Sequence, residues 1–104
     1  MRSNEALHEW ASKFLNESDF QRFIVPFIQQ RQSIPSTELK ILYQSLLNAS
    51  EPPQELLDIN YENSSKSIFE IFLENIYDKS MPVKLFVKLT NFIPPQRKAH
   101  FFCS

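Results

Sequence analysis

Apolar residues return every three or four positions along most of this chain, and a polar or proline-bearing break closes each run. Leu7, Trp10, Ala11, Phe14 and Leu15 fall at i, i+3, i+4, i+7 and i+8, the stripe of a helix with one buried side. Ser3 or Asn4 is the expected cap, with Glu5 and Glu9 near the positive end of the helix. The polar run Asn16-Glu17-Ser18-Asp19 closes that helix and supplies the next cap. Phe20, Phe23, Ile24, Phe27 and Ile28 then repeat the stripe. Pro26 lies inside this second stripe, and with no N–H to donate it is expected to kink the helix or restart it.

A break over Ser33-Ile34-Pro35 precedes a third stripe, Leu39, Leu42, Tyr43 and Leu46, with Ser36 or Thr37 as its expected cap and Ile41 and Leu47 beside it. Pro52-Pro53 stops that helix, and a short turn from Pro53 to Asp58 is expected to follow, because proline suits a first turn. After the polar stretch Asn60–Ser65, Ser67 and Glu70 have the spacing of a capping box. The run Ile68, Phe69, Ile71, Phe72, Leu73 and Ile76 is apolar around well over half the circumference, which marks a central helix touched from two sides. Ser80-Met81-Pro82 starts the last helix, with Leu85, Phe86, Leu89, Phe92 and Ile93 on one face and Val83 and Val87 on another. Pro94-Pro95 ends it. No alternating strand pattern of useful length occurs. The predicted fold is all-α, a compact irregular or orthogonal bundle of five to six short helices, with residues 1–95 as a single helical domain and 96–104 as a C-terminal tail.

Composition narrows the chemistry. A chain of 104 residues, 42% hydrophobic with ten phenylalanines, has the length and bulk for one core. It contains no glycine, which argues against a hairpin-rich β fold and excludes the P-loop, the dinucleotide fingerprint and the nucleophile elbow. The single cysteine, Cys103, has no internal partner for a disulfide. There is neither an apolar run near eighteen residues nor a basic-then-apolar leader, so an intracellular, cytoplasmic setting is the expectation.

Catalytic parts are scarce. The two histidines, His8 and His100, stand at opposite ends of the chain, and His100 with Cys103 makes only half of a metal-binding spacing. Glu70, Glu74 and Asp78 form one helical ridge on which an acid–base pair or a hard cation is conceivable. The same ridge reads better as a charge seam, with Asp78 opposite Lys84 and Glu74 opposite Lys88 across a hairpin of the last two helices. No catalytic residue, metal site or cofactor is therefore expected, and the chain is not read as an enzyme.

Charge is uneven. All twelve acids lie between Met1 and Asp78, alongside six of the eleven basic residues, whereas Lys79, Lys84, Lys88, Arg97 and Lys98 follow with no acid among them. Two functional expectations result. The first is a small helical protein–protein interaction module, an adaptor, inhibitor or docking domain, using Val83, Val87, Phe101 and Phe102 as apolar surface left over after folding. Its partner would be another protein or a second copy of itself. The alternative is a nucleic-acid-associated factor that uses the five basic residues of the C-terminal quarter.

Overall fold

The computed structural model describes residues 2–28, 35–61 and 64–98. Helices account for nearly all of its regular structure. In order they are α1 (Arg2–Ala11), α2 (Glu17–Asp19), a π-helical segment (Phe20–Ile24), α3 (Val25–Ile28), α4 (Ser36–Leu46), α5 (Gln54–Asp58), α6 (Ile68–Ile76) and α7 (Val83–Asn91). The described residues contain no strand, only one isolated antiparallel bridge between Asn60 and Ser67. The fold is all-α, as the stripes predict.

The second stripe is one rod built of three pieces. Asn16 accepts the Asp19 amide on its side chain at 2.8 Å and so caps α2. The rod then widens, and Val25 N–H donates to Phe20 O, five residues back. Pro26 follows immediately. A π-turn just ahead of the proline moves its ring away from the carbonyl it would strike in a regular helix. The predicted kink or restart is thus met by a change of helical pitch.

Two predicted caps are not used. The first helix is already running at Arg2, ahead of Ser3 and Asn4. On α4 the residue before the first turn is Pro35, whose fixed φ of −58° suits that place, and Ser36 instead donates its hydroxyl to Asp78 Oδ1 at 3.3 Å. The box on α6 forms as predicted: Ser67 N–H donates to Glu70 Oε1 at 2.6 Å, and Glu70 N–H to Ser67 Oγ at 3.2 Å.

Trp10 sits at the middle of the core. Its ring meets Phe14, Phe69 and Phe72 edge to face, at centroid distances of 4.8, 5.7 and 6.1 Å. Its indole N–H donates to Ser50 O at 2.8 Å, so the polar end of a fully buried ring is satisfied. Around it α6 buries Ile68, Phe69, Phe72, Leu73 and Ile76, which makes it the central helix. Tyr43 ties α4 to the end of α6 by donating its hydroxyl to Ile76 O at 2.6 Å. Helix α7 contributes Leu85 and Leu89 to the core, and this leaves its opposite side outward.

Candidate functional site

On α7 the buried apolar positions, Leu85 and Leu89, share an arc of the helix, Thr90 is buried with its hydroxyl on the Phe86 and Val87 carbonyls, and Val83, Val87 and Asn91 lie one turn apart on another ridge. Val83 is 77% exposed and Val87 48%. These are the two valines that the sequence left without a place in the core. Beside them the Tyr77 ring, 56% exposed, packs edge to face on Phe86 at 5.5 Å. Val83 and Val87 thus form a short apolar strip on the outer side of α7, while Phe86 is half-buried against the core. Phe101 and Phe102, the other two predicted apolar contacts, lie outside the described residues, as do His100 and Cys103.

The five basic residues do not act as one patch. Lys88 turns away to donate to Leu46 O at 3.2 Å and Leu47 O at 2.6 Å, the last carbonyls of α4, where a cation meets the negative end of that helix. Arg97, on a helical turn at 95–98, reaches into the fold. Its Nη1 lies 3.2 Å from Glu70 Oε1, and its Nη2 donates at 2.7 Å to both Asp58 O and Asn60 Oδ1. Lys98 donates to Asn91 Oδ1 at 3.2 Å. Lys79 and Lys84 remain exposed, and Lys84 has no hydrogen bond or ion pair among the described residues.

The acidic ridge also separates. Glu70 is 1% exposed and belongs to the capping box and to Arg97, and its Oε2 has no hydrogen-bond partner among the described residues. Glu74 pairs with Lys66. Asp78 takes the Ser80 amide at 3.0 Å and the Ser80 hydroxyl at 2.8 Å, and these bonds hold its carboxyl below the ordinary aspartate value. The predicted seam of Asp78 with Lys84 and Glu74 with Lys88 is therefore not formed. Nearer donors, on the connecting turns rather than on α7, claim each carboxylate. Among the described residues no three of His, Cys, Asp and Glu come together in a group that could hold a metal ion.

Two open depressions lie among the described residues. One, of about 500 Å³, is lined by Asp58, Asn60, Ser65, Gln96 and Arg97, whose guanidinium already spans it. The other, of about 380 Å³, lies between α1 and the π-segment, where the exposed His8 ring packs on Phe20 at 4.5 Å. Neither aligns a nucleophile with a base.

The Arg97–Glu70 link and the Tyr77–Phe86 contact were not legible in the sequence. Glu70 was already explained by its cap, and Tyr77 falls in a turn where no periodicity assigns a face. Compared with protein-family models, curated proteins and solved structures, the chain matches none.

Proposed function

We propose that this protein is a non-catalytic helical interaction module, and that it docks a partner protein on the outer side of α7. The observation that carries this reading is the exposure of Val83 and Val87 one helical turn apart, on a helix whose inner side is anchored in the core by Leu85 and Leu89. Single exposed apolar residues are ordinary on protein surfaces. Val83 and Val87 are two β-branched side chains on one ridge that folding leaves in water, and covering them recovers about 25 cal/mol for each Å² removed from water. The nucleic-acid alternative is weaker. Lys88 and Arg97 are already committed to backbone carbonyls and to Glu70, so that reading rests on Lys79, Lys84 and Lys98, and Lys79 has the Asp78 carboxylate beside it.

The test compares wild type with the Val83→Asp/Val87→Asp double variant as baits for proteins from expressing cells, washed at high salt. Both positions face water, so the variant is expected to keep its helical circular dichroism. The reading requires partners that survive the wash on wild type and are lost on the variant. Identical sets of retained proteins on the two baits would contradict it.

A further inference from the structure

The charges around the α7 strip say more about what it takes. The ridge Val83–Val87–Asn91 covers the nine residues of α7, eight steps or about 12 Å along the helix. Cations stand at both ends of it. At the start are Lys79, in the turn that enters α7, and Lys84, beside Val83 and without a partner among the described residues. At the far end the Lys98 ammonium sits on Asn91 Oδ1, one turn beyond Val87. The Asp78 carboxylate partly offsets Lys79, and no acid follows in the chain to offset Lys84 or Lys98.

We infer that the occupant of this face is a short segment of another protein in which two apolar side chains are bracketed by carboxylates. The inference rests on the reading of α7 as the docking face and adds the chemistry of the partner. Two features favour a short peptide over a second copy of this chain. Two valines and a ring edge fall far below the ~800 Å² per partner of a standard protein interface. A two-fold pairing of the strip would also set the same basic flanks against each other. A peptide with acidic ends meets both conditions, its apolar pair on Val83 and Val87 and its carboxylates on Lys84 and Lys98. An anionic membrane is the less favoured occupant, because Phe86 is held against the core and the exposed valines are too small to anchor in the acyl region as Trp, Phe or Leu do.

The experiment selects from a displayed library of random peptides on the full chain, with counter-selection against Val83→Ser/Val87→Ser. Labelled peptides from the enriched pool are then measured against wild type, the serine variant and Lys84→Glu/Lys98→Glu, with circular dichroism as the check on folding. The expected peptides combine an apolar pair with flanking Asp or Glu. They bind the charge-reversed variant at least about tenfold more weakly and lose affinity as salt is raised to ~0.5 M. Peptides that need the valines yet ignore the lysine reversals would overturn the carboxylate inference while leaving the docking face standing. A pool that binds the serine variant as well as wild type, or no enrichment at all, would overturn both. Two parallel controls on the wild-type chain bear on the other occupants. Sedimentation with phosphatidylcholine–phosphatidylserine vesicles, or a concentration-dependent dimer, would overturn the peptide in favour of lipid or of a second copy if abolished by the serine substitutions.

Discussion

Arg97 shows how much one side chain can settle. Pro94 and Pro95 end the last stripe, and the residues after them read in the sequence as a polar tail. In the fold the guanidinium joins the end of α5, the Asn60 bridge and the start of α6, with the buried Glu70 as its counter-charge. Removing one member of such a pair leaves the other charge buried and uncompensated, which costs about 3 kcal/mol at a site where the cation keeps some contact with water. Arg97→Met is expected to lower stability by about that amount in denaturant titration. Glu70→Gln added to it should restore part of the loss, and a double variant that is simply the sum of the two singles would contradict the pairing. Tyr43 makes a second residue-scale prediction. Its phenol is pushed above the ordinary value of 10.0 by burial first and by the Asp78 charge second, with the Ser80 hydroxyl opposing. The folded state then holds the proton more tightly than the unfolded chain. That stability is complete below pH 10 and is lost as pH rises through the folded value. Tyr43→Phe should therefore flatten the alkaline limb of the stability curve, and it should lower stability at neutral pH by leaving Ile76 O unpaired.

At the scale of elements, the helices were legible because each announces itself twice, by an apolar stripe and by a break. Leu39, Leu42, Tyr43 and Leu46 are all buried on α4, and the Ser67–Glu70 spacing closes the box at the start of α6. What the stripe does not encode is which group meets a helix end. Ser36 caps nothing because Asp78, 42 residues away, competes for its hydroxyl. Lys88 serves the end of α4 rather than Glu74, because two carbonyls without helical partners lie within its reach. Pro26 announced a disturbance, but whether a proline kinks a helix or changes its pitch depends on what packs around it. Here Phe20, Phe23 and Ile24 are buried along the π-segment itself. Caps that were legible and caps that were not should differ in strength. Ser67→Ala is expected to cost about 1 kcal/mol, since it exposes a buried amide to no partner. Lys88→Met should cost less, within about 0.3–1 kcal/mol, and that smaller loss should shrink with added salt. Thermal unfolding of the two variants in parallel checks the order.

The whole molecule has a Cα radius of gyration of 12.8 Å, close to the ~13 Å of a compact domain of this length. At this scale the chain divides its labour. Trp10 and α6 hold the centre, Arg97 pins the last described turn, and α7 faces outward with a strip that the core does not need. The sequence already set Val83 and Val87 apart from the other apolar residues of that helix, because they fall off its buried arc. It could not say which basic residues stay available, because Arg97 and Lys88 find their partners only once distant segments come together. Whether α7 meets another protein is read by photo-crosslinking in expressing cells, with p-benzoylphenylalanine at Val87 and, as a control, at Glu9 on the exposed side of α1. A discrete protein adduct from position 87 and none from position 9 is the predicted result. No adduct from 87, or the same adducts from both positions, would contradict the claim.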